Sequence, residues 1–219
     1  MAFDFKKTQK NFYLPKNKPE IITVPTMNYL AVWGQGDPNE TDGAYSRAIA
    51  MLYAVAYTLK MSYKTAYKIH GFFEYVVPPL EGFWWQEGIY GADHSSKADF
   101  RWISVIRLPD FVSPADVEWA KQEATQKKKA DCSAVEFFAL DEGLCVQMMH
   151  IGPYDDEPAT IETMDAYLRK NGYCNDFSQM RLHHEIYLSD PRKTTPEKQR
   201  TVIRHPIRKK EPLHDCQLL

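Results

Sequence analysis

Apolar residues recur along this chain in two rhythms, every second residue in short runs and every third or fourth residue in longer ones, which are the signatures of strands and of amphipathic helices. Ile21 to Val24 and Tyr29 to Gly34 read as strands, with Pro25 confined to a bend or edge because it cannot donate to a ladder. GQGDPNE is a loop. Beyond Asp42, residues Tyr45, Ile49, Leu52, Ala56 and Leu59 fall at helical spacing and predict a helix to about Lys60. Phe72 to Val77 and Arg101 to Leu108 read as strands, separated by PPLEGFWWQEGIYG, which is too rich in Pro and Gly for a regular element. Ser113-Pro114 opens a second helix as N-cap and first helical residue, and the helix ends at a basic KKK. Val135 to Leu140 and Leu144 to Ile151 flank Asp141-Glu142-Gly143 and predict a β-hairpin. A third helix runs from about Pro158 to Lys170, with Ile161, Met164 and Leu168 on one face and Gly172 just past its end. Leu182 to Leu188 and Thr201 to Ile207 complete the strands.

The order is a β-α-β-β unit used twice with one helix between. The predicted fold class is therefore α+β, a single domain over 1–219 with pseudo-repeat halves at about 20–110 and 111–208 and a tail at 209–219. The halves share no alignable run of identical residues. Joined edge to edge, they would leave a concave groove between them as the natural ligand site.

At 219 residues and 44% hydrophobic, the chain can bury a proper core. A formal net charge of −2, from 27 basic and 29 acidic residues, gives no overall field toward nucleic acid or an anionic membrane, so no direct nucleic-acid binding and no membrane association are expected. Cys132, Cys145, Cys174 and Cys216 lack CxxC spacing, and the opening MAFDFKKTQK lacks a signal peptide's apolar stretch. Reduced thiols and a cytoplasmic location are expected, with the chain a monomer or homodimer. Aromatics are the outlier, with 13 Tyr, 11 Phe and 5 Trp making up 13% of the chain.

Alternation along Leu182 to Leu188 puts Ile186 and Leu188 on one face and His183, Glu185 and Tyr187 on the other, leaving a carboxylate in mid-strand. Glu185 either faces water from a half-buried sheet or serves a site. Val146, Met148 and His150 form one face of their strand, and a soft, adaptable Met-bearing surface suits varied apolar ligands. Phe83, Trp84 and Trp85 in succession cannot all enter one core. With Tyr90, Trp102 and Tyr154 they either fill cores or build a cage that stacks on flat rings or holds a cation. His183 and His184 are adjacent, so they point to opposite faces and cannot chelate one metal together; no metal and no cofactor are expected. GxSxG and Walker patterns are absent from the sequence.

PPLEGFWW, EGLCVQMMHIGPYDDEPATI and RLHHEIYLSDPRKTTPEKQRTVIRHPI together resemble signatures of the GyrI-like proteins over about Ile21 to Arg208. The resemblance implies a duplicated SHS2-type β-α-β-β module enclosing a hydrophobic pocket between its halves, without a helix-turn-helix that would couple the pocket to DNA. The family pocket carries a mid-strand glutamate, and Glu185 in HHEIYLSDP is the matching position. A stand-alone subfamily similar to this chain hydrolyses the cyclopropane ring of DNA-alkylating cyclopropanoids such as yatakemycin and CC-1065 within an aromatic cage, which implies a protective role. The cage maps onto Trp84, Trp85, Tyr90, Trp102 and Tyr154, with Met148, His150 and His183 lining the ligand site. The expected partners are flat hydrophobic or aromatic small molecules. Two other functions use the same sequence: a non-catalytic binder of xenobiotics with Glu185 as counter-charge, and a protein-interaction module, which would expose an apolar patch instead of enclosing a pocket.

Overall fold

A computed structural model describes residues 2–88, 97–128 and 130–210. Two one-turn helices, α1 (Phe5–Thr8) and α2 (Lys10–Tyr13), precede β1 (Glu20–Val24), β2 (Met27–Gln35), α3 (Ala44–Lys60), β3 (Leu80–Trp85) and β4 (Arg101–Arg107). Then come α4 (Pro114–Lys128), β5 (Glu136–Leu140), β6 (Gly143–Ile151), α5 (Glu157–Lys170), β7 (Tyr173–Asn175), β8 (His183–Tyr187) and β9 (Arg200–Lys209). The strands form one sheet in the order β1-β6-β9-β8-β3-β4-β2-β5, with β7 added along β9. Every described pairing between these strands is antiparallel. The fold is thus mixed α+β around a large antiparallel sheet.

Its shape follows from two short connections. β1 and β2 stand near opposite ends of the order, yet only Pro25 and Thr26 join them; β5 and β6 are likewise joined by Asp141 and Glu142 alone. Laid flat, each pair would be separated by about 29 Å at ~4.8 Å per strand. Three peptide steps span ~11 Å at most. The sheet must therefore curl until its ends meet. A single core cluster accordingly mixes Val24 and Cys145 from one end, Met27 and Leu140 from the other, and Phe83 and Ile103 from the middle.

The curl gives the sheet an inside and an outside. Outside, α3 and α4 pack over β2, β4 and β5, burying Leu30, Val32, Leu52, Val55, Leu59, Trp102 and Ile106 in one cluster. α5 covers β6 and β9, where Met164 and Leu168 meet Val146, Met148 and Ile203. Reciprocal bonds close the start of α4: the Asp116 N–H donates to Ser113 Oγ at 3.3 Å and the Ser113 N–H to Asp116 Oδ2 at 2.8 Å. Inside, the amino-terminal segment lies against the sheet, with Arg204 Nη2 donating to the Phe12 carbonyl (2.9 Å) and Gln147 Nε2 to the Asn11 carbonyl (2.6 Å). No helix among the described residues is long and apolar enough to cross a membrane.

Three local expectations are corrected. Residues 135–140 and 144–151 are consecutive strands but not a hairpin: β5 pairs with β2, and β6 pairs with β1 and β9. Gly143 at φ +62° and the Asp141 side chain bonded to the Gly143 N–H form a corner, and Glu142 turns into the sheet's interior to meet His184 and Arg204. Residues 72–77 form no strand; Tyr75 makes an isolated parallel bridge to Phe3, while Phe72 and Tyr75 pack on Phe111. The segment PPLEGFWW does supply a regular element, since its prolines lie before β3 and leave Leu80–Trp85 free to bond on both sides.

The interior holds a charge cluster. His184 sets Nδ1 2.9 Å from Glu142 Oε2 and Nε2 3.0 Å from Glu81 Oε2, and Arg204 Nη1 donates to Glu142 Oε1 at 2.9 Å. Burial alone would raise the Glu142 carboxyl, but the positive charges of His184 and Arg204 overcome it and hold its pKa at about 2. Burial likewise opposes charge on His184, and Glu142 with Glu81 outweighs it, so the imidazole pKa lies above its ordinary 6.5. Glu142 contributes stability that is present above pH 4.5 and lost as pH falls toward 2. His184 contributes stability present below pH 6.5 and lost as pH rises through its raised value. Replacing His184 by Ala leaves two buried carboxylates against one guanidinium, and denaturant unfolding should show a loss of about 3 to 5 kcal/mol near neutral pH. An unchanged unfolding midpoint would contradict this account of the interior.

Candidate functional site

Strand β8 lies at the middle of the sheet and is buried on both faces, so its alternation sends His184 and Ile186 inward and His183, Glu185 and Tyr187 toward the helices. Glu185 is 7% exposed and sits between Gly82 of β3 and Ile203 of β9. Along this row, Gly82 and Ser104 are the small residues beside the carboxylate, and the rows on either side carry the large aromatics Trp84, Trp102 and Tyr187. Small next to large lets aromatic side chains gather around the carboxylate.

These side chains are fixed by mutual contacts. Trp84 Nε1 donates to the Tyr187 hydroxyl at 2.9 Å. Tyr45, in the first turn of α3, packs on Trp84 and on Trp102 with centroids 5.2 Å away in each case. Phe100 meets Trp84 edge-on at 5.5 Å, and Tyr154 meets Tyr187 edge-on at 5.9 Å. Two glycines make this arrangement sterically feasible: a Cβ on Gly34 would stand 2.2 Å from the Trp102 ring, and one on Gly82 would stand 2.6 Å from Trp84 Nε1 and 3.0 Å from the Tyr187 hydroxyl. Burial first, and then the nearby Glu185 charge, push the Tyr187 phenol well above its ordinary value. The same causes, with Glu157 added, push Tyr154 up to about 12. Both phenols therefore stay protonated and can donate.

The carboxylate is held from behind by a histidine chain. His183 Nε2 lies 2.8 Å from Glu185 Oε1, and His183 Nδ1 lies 2.7 Å from His205 Nε2. His205 Nδ1 is buried and has no hydrogen-bond partner, and burial together with His183 keeps the His205 pKa well below 6.5. An orphaned buried N–H is rarer and costlier than an orphaned acceptor. The bare nitrogen is thus Nδ1 of His205, which assigns the protons as His205 Nε2–H to His183 Nδ1 and His183 Nε2–H to Glu185. On the other side, Glu157 opens α5 wholly buried, and the side-chain ligand atoms of Glu157, His183 and Glu185 all lie within 4.8 Å of one another. Two carboxylates and an imidazole have the composition of a divalent-cation site. The assigned proton on His183 Nε2 takes up the lone pair such an ion would need, so these residues are not assigned as ligands.

The structure brings Trp84, Trp102, Tyr154 and His183 together with Glu185. Met148 shares the Glu185 row across Ile203 but packs under α5 against Val146 and Met164. His150 uses both ring nitrogens locally, toward Thr160 Oγ1 (2.9 Å) and the Pro153 carbonyl (3.0 Å), and so pins the turn that carries Tyr154 and Glu157. Trp85 lies on the opposite face of β3 from Trp84 and packs edge-on to Trp33 at 6.3 Å. Tyr90 lies outside the described residues. Sequence reasoning left out Tyr45, Tyr187, Phe100, Gly82 and Glu157. Alternation already set Tyr187 beside Glu185; the others reach the site only through the fold. A separate small cleft, lined by Phe83, Leu140, Glu142, Arg181, Leu182 and neighbours on the inner side, has room for about one water and lies away from Glu185.

A curled antiparallel sheet with a buried carboxylate set among aromatic side chains beneath two helices is the arrangement at this site. The match to known families agrees: residues 17–208 fit the GyrI-like small molecule binding domain, and the chain belongs to that family. No curated protein sequence matches it. A solved structure of an uncharacterized conserved protein from Listeria innocua is 48% identical, with a TM-score of 0.89 over 94% of this chain and 100% of that one. A hydrolase from the same organism is 45% identical at a TM-score of 0.86, again over 94% of this chain and all of the other. The C-terminal domain of EcmrR, at 12% identity and a TM-score of 0.52 over 88% of this chain and 98% of that one, shares the fold alone.

Replacing Gly82 by Ala tests how the aromatic cluster is built. The added methyl must displace Trp84 or Tyr187, so stability should fall by about 1 to 3 kcal/mol and the tryptophan emission spectrum should shift. A variant with wild-type stability and emission would show that Gly82 does not set the Trp84–Tyr187 contact.

Proposed function

We propose that the protein hydrolyses the cyclopropane ring of flat, DNA-alkylating cyclopropanoids of the yatakemycin and CC-1065 class, with Glu185 as general base, and thereby protects the cell in whose cytoplasm it acts. The observation that carries this reading is a buried carboxylate, bonded to His183 and set among Tyr45, Trp84, Trp102, Tyr154 and Tyr187. Membership of a small-molecule-binding family and 45–47% identity to two Listeria innocua proteins described as hydrolases support it. The palindromic strand order, in which β1 and β5 occupy equivalent edges and β3 and β8 meet at the centre, supports two β-α-β-β halves within one domain, with the site at their junction.

The chemistry asks little of the protein beyond position and one base. A cyclopropane fused to a dienone is already electrophilic. Water oxygen bonds to the ring methylene, the strained carbon–carbon bond breaks, and its electron pair passes into the dienone to form a phenolate. Glu185 takes the water proton, and the phenolate is protonated to give the phenol, so one water is consumed and no cofactor is needed. The aromatic walls stack the flat ring system and exclude bulk water, which favours attack by the one positioned molecule. A phenol held protonated, such as Tyr154 or Tyr187, can donate to developing negative charge.

The same cluster also suits simple binding of a cation, because a buried carboxylate ringed by aromatic faces attracts positive charge without any turnover. Glu185→Gln separates the two. Incubation with a neutral cyclopropanoid, followed by chromatography with mass detection, should show ring-opened product from the wild type and a rate about 100-fold or more lower in the variant, with ligand still bound. Equal rates would remove Glu185 from the base's role, and absence of product with the wild type would leave binding alone.

A further inference from the structure

We propose that Glu157 is a positioning residue that carries the proton shared between the Glu157 and Glu185 carboxyls, and thereby keeps Glu185 the ionised member of the pair. This rests on the reading of Glu185 as a base, but its structural core does not. Glu157 is wholly buried and neither of its oxygens has a hydrogen-bond donor. The carboxyl facing it belongs to Glu185, within the 4.8 Å cluster that includes His183. Two ionised carboxylates at that separation, away from water, repel; a single proton turns the contact into a hydrogen bond.

The surroundings decide which residue holds the proton. Glu185 already accepts from His183 Nε2–H, which stabilises negative charge there, whereas Glu157 has no donor of its own. Among the described residues, the groups around Glu157 are His183, Glu185 and Tyr187 of β8, Tyr154 and Asp155 of the preceding turn, Tyr45 near Glu185, and His205 behind His183. None of these brings a fixed positive charge. In agreement, burial first and then Glu185 hold the Glu157 carboxyl well above the usual carboxylate range. When Glu185 removes the proton from water, both carboxyls are briefly neutral, and the pair returns one proton to solvent or to the phenolate as the product leaves.

The test uses the whole protein and three readouts. Because the Glu157 pKa is higher in the folded state, its contribution to stability is complete below pH 4.5 and is lost as pH rises toward the folded value. Over that range the wild-type unfolding constant should gain up to about tenfold per pH unit, and Glu157→Gln, whose amide donates the same hydrogen bond without titrating, should lack that component. The infrared spectrum of the wild type at pH 7 should also carry a buried protonated-carboxyl stretch that the variant lacks. With a cyclopropanoid as probe, Glu185→Gln should lose the turnover that the wild type shows. An unchanged pH slope in the variant, or absence of the protonated-carboxyl band from the wild type, would overturn the proposal. So would a stoichiometric divalent metal that survives dialysis against chelator. The wild-type infrared band decides the matter even if the variant fails to fold. Absence of turnover in the wild type, with the band present, would reject the hydrolase reading and leave the shared proton standing.

Discussion

Two connections of two residues each govern this molecule. Because Pro25-Thr26 and Asp141-Glu142 join strands from opposite ends of the sheet, the sheet cannot lie flat. Its curl creates an enclosed inner side and a helix-covered outer side, and it puts β8 and β3 at the centre with both faces buried. Any polar residue on those strands must then find partners in a dry environment. Strand β8 carries three such residues in succession, His183, His184 and Glu185, and alternation divides them between the two sides.

The two sides treat charge differently, and that difference separates structure from chemistry. On the inner side, Glu81 and Glu142 are met by His184 and Arg204, and Tyr13, Gln147 and the Phe12 carbonyl add further bonds to the cluster. Such a cluster is tied to the fold, since Arg204 also fastens the amino-terminal segment. On the outer side, Glu185 accepts from a histidine whose own partner is another histidine, and faces a second carboxyl. The inner set is closed electrostatically. The outer set brings two carboxyls together beside aromatic side chains, which suits a base or a cation's counter-charge.

Much of the fold was legible because it is written locally. The spacing of Tyr45, Leu52, Ala56 and Leu59 marks α3, Ser113-Pro114 marks the start of α4, and Gly172 at φ +76° follows the end of α5. Strand pairing was not legible. Asp141-Glu142-Gly143 has hairpin chemistry, and only the burial of Glu142 against His184 and Arg204 explains why the chain turns a corner there instead. At the site, period-two alternation set Glu185 apart from Ile186 correctly and placed Tyr187 beside it, but Trp84 and Trp85 look equivalent in sequence and part company across the sheet. Glu157 could not be found by spacing at all, since it reaches Glu185 from a different element, at the start of α5.

What matters most is where a flat cyclopropanoid settles and in what chemical state. A crystal structure of the wild-type protein after soaking with such a compound measures both. The expected result is the ring-opened product between α3 and α5, its rings against Trp84, Tyr45 and Tyr154, and its new hydroxymethyl oxygen within hydrogen-bond reach of Glu185. An intact ligand in that place, or any ligand bound in the inner cleft beside Glu142 and Arg181, would contradict it.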